Sequence, residues 1–117
     1  MSDTKATARG NDERMILVEQ GMKGMRDAAQ RMKEDLNKAP RKNNPRQYAD
    51  SAIGDAEYVM LGHLKSATES LDGMQFVVKG SAHHSLGGRL HEAEAECASY
   101  VLVSRAAVRE LWRLPTD

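Results

Sequence analysis

Four histidines and one cysteine are the residues of this sequence best suited to chemistry. His83, His84 and His91 lie close together, Cys97 follows His91 by six residues, and His63 lies upstream. Imidazole and thiolate groups ligate zinc, which needs three or four ligands converging on one point. His84 and His91 would be separated by about 10 Å of rise on one helix. Because the sequence also lacks Cys-x-x-Cys and His-x-x-x-His pairs, we expect capping or surface histidines and no metal site.

The segment HLKSATESLDG, residues 63–73, resembles the motif of histidine phosphotransfer domains. That resemblance implies a helical bundle that passes a phosphoryl group through an exposed histidine. The family has one residue between the histidine and the leucine, whereas Leu64 follows His63 directly. A shift of one residue rotates the imidazole by about 100° around a helix, onto the apolar side shared by Met60 and Ala67. We therefore expect His63 to be inaccessible, and a phosphotransfer module stays as the alternative function.

Other catalytic patterns are missing from the sequence. It contains no Gly-rich phosphate loop and no Gly-x-Ser-x-Gly motif. Glu92, Glu94 and Glu96 resemble paired carboxylates, but residues two apart on a helix point in directions that differ by about 200°. These acids are typical of a solvated helix face. We therefore expect a protein that is not an enzyme and that uses no cofactor.

Basic residues form two groups that could contact phosphates. One is the loop 38–46, and the other is Arg105, Arg109 and Arg113, spaced four residues apart on one side of a helix. However, 17 Lys and Arg balance 17 Asp and Glu, so the formal net charge is zero. A nucleic-acid-binding domain usually carries a positive excess. Salt bridges with a protein partner are therefore expected, and a nucleic-acid-associated protein is the second alternative.

The first of the helices that position these residues is rich in methionine. Its apolar residues recur at alternating intervals of three and four, the spacing of a helix that packs along one seam: Met15, Val18, Met22, Met25, Ala29, Met32 and Leu36. Asn11 or Asp12 would cap this helix, which we expect to end near Lys38. Gly21 and Gly24 interrupt it, at a cost of about 0.5–1 kcal/mol each.

Methionine-lined helices serve either as core or as adaptable binding surfaces. Because two glycines would loosen this helix, we expect it to bind a protein partner. Met22 and Met25, next to the glycines, are expected at the contact surface, with Met15 and Met32 mostly buried. The full set of predicted partner-binding residues is Met15, Val18, Met22, Met25 and Met32.

Two further helices follow a loop broken by Pro40 and Pro45. The second should run from Pro45, capped by Asn44, to Asp72, with Gly73 as its stop. Ala49, Ala52 and Ala56 make its first half flat enough for another helix to approach closely. The third should begin near Ser85 and end before Pro115. Between them, residues 74–79 are expected to form an extended connector that packs Phe76 and Val78 onto the helices, or an edge strand paired with a second copy.

These elements predict an all-α fold of three long helices joined by a short extended connector, with the bundle completed by dimerisation. Aromatic residues make up only 4% of the chain, which favours closely packed helices over a sheet. We expect residues 1–10 to form a disordered N-terminal tail and residues 11–117 to form a single helical domain. The single Cys97 and the lack of a signal-peptide core predict a cytoplasmic protein.

In size, helix order and charge, the whole chain resembles short bacterial quorum-sensing anti-activators of the QslA type. Members of this group bind a LuxR-type transcription factor and prevent its action on DNA. The resemblance implies a stoichiometric inhibitor that acts through helix surface rather than chemistry. It rests on no signature motif and assigns no site residues.

Overall fold

The computed structural model describes residues 2–74 and 81–113, and it places the side chains of all of these except 2–9, 11, 81–84 and 111–113. Three helices account for most of this part: α1 (Ser2–Lys38), α2 (Pro45–Asp72) and α3 (Ser81–Arg113). A short 3-10 turn, Ala39–Arg41, links α1 to the loop before α2. The predicted all-α class is therefore confirmed. The proposed extended segment 74–79, including Phe76 and Val78, lies outside the described residues except for Met74, which is buried.

Helix α2 begins and ends at the residues that the sequence predicts. The Asn44 side chain accepts a hydrogen bond from the backbone N–H of Gln47 at 3.3 Å, and Pro45 occupies the first turn. This cap satisfies a backbone donor that has no partner within the helix. At the other end, the N–H of Gly73 donates to the carbonyl of Glu69 at 3.0 Å.

Gly73 remains in the right-handed helical region, with φ of −79°, so a left-handed turn is not what selects glycine. A Cβ at this position would collide with the guanidinium group of Arg14 on α1. The guanidinium is the end of a flexible side chain that can move aside, so this contact does not by itself require glycine.

The boundaries of α1 and α3 differ from the sequence prediction. Helix α1 begins at Ser2 rather than at residue 11 or 12, so residues 2–10, which we expected to form a disordered tail, belong to its backbone. Helix α3 begins at Ser81 rather than near Ser85. Neither segment contains proline, and the single glycine of the first, Gly10, costs a helix only about 1 kcal/mol. Capping residues mark where a helix can start, and nothing here stops it from starting earlier.

Helices α1 and α2 form an antiparallel pair with very close contact. A Cβ built on Gly21 would lie 2.8 Å from the Cβ of Ala67 and 3.1 Å from the carbonyl oxygen of His63. One turn further along, a Cβ on Gly24 would lie 2.5 Å from the imidazole ring of His63. Gly21 therefore allows the close approach of the two helices, and Gly24 leaves space for the imidazole of His63, which corrects the view that the glycines loosen α1 for binding.

Helix α3 runs parallel to α1 and completes an up–down–up arrangement. Glu19 pairs with Arg89 at 3.4 Å, and Arg26 pairs with Glu96 at 3.6 Å, seven residues further along both helices. The ammonium group of Lys33 then lies 4.1 Å from the centre of the Tyr100 ring. These partly exposed contacts define the register of α3 against α1. They add little stability, since each exposed pair contributes about 0–1 kcal/mol.

The core is a single layer of aliphatic and sulfur-containing side chains between the three helices. Its largest fully buried members are Val18, Met22, Met25, Met32 and Ile53. Ala49, Ala52 and Ala56 are buried too, in agreement with the flat face predicted for α2. The molecule is elongated, with extents of 75 × 21 × 15 Å. Within the described residues, no helix combines the length and apolar character that a membrane crossing requires.

Candidate protein-interaction site

The residues predicted to bind a partner are mostly core residues. Met22, Met25 and Met32 are 2%, 1% and 1% exposed, and Val18 is completely buried. Only Met15 is partly accessible, at the edge of the core. The structure thus brings all five together, but it corrects the expectation that Met22 and Met25 lie at a contact surface. Unbranched methionine side chains fill the irregular space beside glycines and alanines, where the backbones of α1 and α2 are close.

An accessible apolar surface lies instead between α2 and α3. A groove of about 300 Å³ runs along these two helices on the side facing away from α1. Met25, Met60 and Cys97, all buried, form its floor. Leu61 of α2 and Leu102 of α3 form its two walls and are 60% and 68% exposed. We call this feature the α2–α3 groove.

The apolar character of the α2–α3 groove extends onto the surface of both helices. Tyr58, one turn before Leu61 on α2, is 81% exposed. On α3 the exposed apolar residues recur at intervals of three and four: Ala95, Ala98, Leu102 and Ala106. This second stripe faces away from the core and consists mostly of small residues. Exposed apolar surface on neighbouring elements marks sites of protein association more often than isolated exposed residues do.

Charged groups border the α2–α3 groove at both ends. Glu94 lines one end, and Arg105 with Glu57 lines the other, where the guanidinium donates to the carboxylate at 2.6 Å. Glu94 and Arg105 are separated by about 16 Å along α3, or three helical turns. An apolar strip of this length with charged ends has the dimensions of a helix-docking site.

The Cys97 thiol lies on the groove floor and is 2% exposed. Burial raises the pKa of the Cys97 thiol above its usual value, and the nearby Glu96 carboxylate raises it further. Both effects disfavour the thiolate, which is the nucleophilic and metal-binding form of cysteine. The residue therefore serves the groove as a small apolar side chain.

We expect Cys97 to react slowly in the folded protein. At pH 7 a thiol-specific reagent such as 5,5′-dithiobis(2-nitrobenzoic acid) should modify it at least about tenfold more slowly than in urea-unfolded protein, because access and thiolate content are both low. Absorbance of the released thiolate measures the rate in each state. Equal rates in folded and unfolded protein would show that the groove floor is open to solvent.

His63 lies on the opposite side of α2 from the groove. Its ring packs over Gly24 of α1, and the residue is half-buried. The expectation that His63 is inaccessible is therefore only partly met. His63 and Cys97 face different helix pairs, so they do not converge. In the part of the chain with described side chains, no three His, Cys, Asp or Glu residues are placed to hold a metal ion.

One member of the first basic group lies next to the second group near the start of α2. Arg46, in the first turn of α2, lines a pocket with Asp50 and with Arg105 and Arg109 of α3. Asp50 and Glu57 offset two of the three positive charges, so this cluster carries little net charge. The side chain of Arg113 lies outside the described residues. The arrangement supports salt bridging rather than the concentrated positive surface that phosphate backbones require.

No protein-family model matches this sequence, and comparisons with curated proteins and with solved structures find no match. The exposed apolar residues of the groove were not predicted from the sequence, because the main apolar stripe of each helix accounts for only one of its faces. The signal available was the second recurrence of apolar residues on α3, from Ala95 to Ala106.

Proposed function

We propose that this chain is a small non-enzymatic regulator that binds and inhibits another protein through the α2–α3 groove. The observation that carries this proposal is the pair of exposed leucines, Leu61 and Leu102, facing each other across an open apolar channel. Leaving such side chains in water forgoes about 1.5–3 kcal/mol each relative to full burial. An amphipathic helix laid into the channel would cover both leucines.

The resemblance to QslA-type anti-activators makes a LuxR-type quorum-sensing transcription factor the first partner to test. Such a partner places the protein in the cytoplasm and makes its action stoichiometric. Helix-in-groove recognition suits this role because affinity comes from a few apolar anchors on the bound helix. The charged ends of the groove, Glu94 and Arg105, would favour one orientation of that helix.

Replacing Leu102 with lysine should lower the affinity for the partner by about 10- to 100-fold, the value of one buried leucine anchor. Val103→Lys is the matched control. Val103 is adjacent and 63% exposed, but it does not line the groove. The free energy of unfolding of both variants should lie within about 0.5 kcal/mol of the parent value, because both sites are exposed.

The measurement is binding of a purified LuxR-type regulator to immobilised parent and variant proteins, followed by a mobility-shift assay of the regulator on its DNA. Parent and Val103→Lys protein should retain the regulator and release it from DNA, whereas Leu102→Lys should do neither. Equal binding by Leu102→Lys and the parent would contradict a role for the groove.

A further inference from the structure

The α2–α3 groove is self-complementary in charge and shape. Along α3, Glu94 precedes the exposed Ala98 and Leu102, and Arg105 follows them. The order is an acid, a small apolar residue, a large apolar residue and a base. This order is complementary to its own reverse, because an antiparallel copy places acid against base and small against large. We propose that, in the free protein, a second copy of the chain covers this groove, with the two α3 helices antiparallel about a two-fold axis.

The register of this dimer follows from the positions of the apolar residues. A two-fold axis level with Tyr100 places Ala98 of each copy opposite Leu102 of the other, so that a large side chain meets a small one. The same axis brings Glu94 to within one residue, about 1.5 Å of rise, of Arg105 of the second copy. Both contacts occur twice, as a two-fold interface requires.

The contacts within one chain leave both Glu94 and Arg105 able to form these ion pairs. Arg105 already binds Glu57, but a guanidinium has five N–H donors and can bridge two carboxylates. Glu94 is exposed. In addition, the chain has zero formal net charge, so that two copies approach without overall repulsion.

This inference rests on the proposed function, since it assigns the same surface to self-association in the absence of a partner. Binding of the regulated protein would then require separation of the dimer. The partner would compete with the second copy for Leu61 and Leu102, and protein concentration would set the fraction of chains free to act.

Reversing the charge of Glu94 or of Arg105 tests the proposed antiparallel dimer. Sedimentation equilibrium at about 10 μM should give twice the chain mass of 12.9 kDa for the parent. Glu94→Arg and Arg105→Glu should each weaken association by at least about tenfold, because each places like charges together at two positions. An equimolar mixture of the two variants should again sediment as a dimer, since the mixed dimer places an acid against a base at both positions, once in the original polarity and once reversed.

Three outcomes would overturn the dimer: a monomeric parent, charge variants that associate as the parent does, or a mixture that stays monomeric. Circular dichroism checks the fold of each variant, because Arg105→Glu also faces Glu57. If that variant loses helicity, Glu94→Arg and Leu102→Lys decide the question, with Val103→Lys as the control that should remain dimeric. A monomeric parent whose partner binding is still lost in Leu102→Lys would reject the dimer and leave the proposed function in place.

Discussion

The double replacement of Met22 and Met25 by lysine is expected to unfold this protein at 25 °C. Both side chains are buried, at 2% and 1% exposure, in the layer between all three helices. A lysine at position 22 could not reach water without separating α1 from its neighbours, and one at position 25 would place its ammonium group among the apolar side chains at the floor of the α2–α3 groove. A buried, unpaired charge costs several kcal/mol, and the two together approach the total stability of a small domain, about 5–15 kcal/mol. Far-ultraviolet circular dichroism as a function of temperature measures the loss.

A matched control lies on the same helix. Ile16 and Leu17 are 54% and 50% exposed, so Ile16→Lys with Leu17→Lys introduces the same two charges at accessible positions. The free energy of unfolding of that variant should lie within about 1 kcal/mol of the parent value. A folded Met22→Lys, Met25→Lys protein would show that the methionines are reachable from solvent, as the sequence analysis expected, and would return them to the set of candidate contact residues.

Gly21 is the position where adding a side chain should cause the largest loss from a single substitution. A Cβ at Gly21 would meet the Cβ of Ala67 at 2.8 Å and the backbone oxygen of His63 at 3.1 Å, and neither group can rotate away. Gly21→Leu should therefore separate α1 from α2 and cost about 3 kcal/mol or more. For a domain of this size, that loss lowers Tm by about 10–20 °C.

Two other glycines provide controls for Gly21→Leu. No atom lies within 4 Å of a Cβ at Gly62, so Gly62→Leu should stabilise α2 by about 0.5–1 kcal/mol through helix propensity alone. At Gly24 the obstacle is the mobile ring of His63, and Gly24→Ala should change stability by less than about 1 kcal/mol as that ring swings out. Equal melting temperatures for Gly21→Leu and Gly62→Leu would contradict close contact between α1 and α2.

The sequence alone predicted the helices and most of their ends. Periodic apolar residues, Asn44 with Pro45, and Gly73 are local signals, because capping and helix periodicity depend on residues within a few positions of each other. The two errors also have a local explanation: α1 and α3 begin before their best capping residues, because no proline in residues 2–10 or 81–84 interrupts the helix. The burial of Ala49, Ala52 and Ala56 was predictable too, because they recur on one side of the helix.

Tertiary structure decided which apolar residues remain accessible. The sequence shows that Met22 and Met25 share a face with Val18, but a face that can be buried is either core or interface until its neighbours are known. Gly21 allows α2 to approach α1 closely at Ala67, and Gly24 leaves space for the ring of His63. The methionines are therefore buried between the helices. Helix α3 follows α1 in parallel and leaves Leu61 and Leu102 open on the other side. These contacts join residues that are far apart in the sequence, and no local pattern records which side of each helix they will cover.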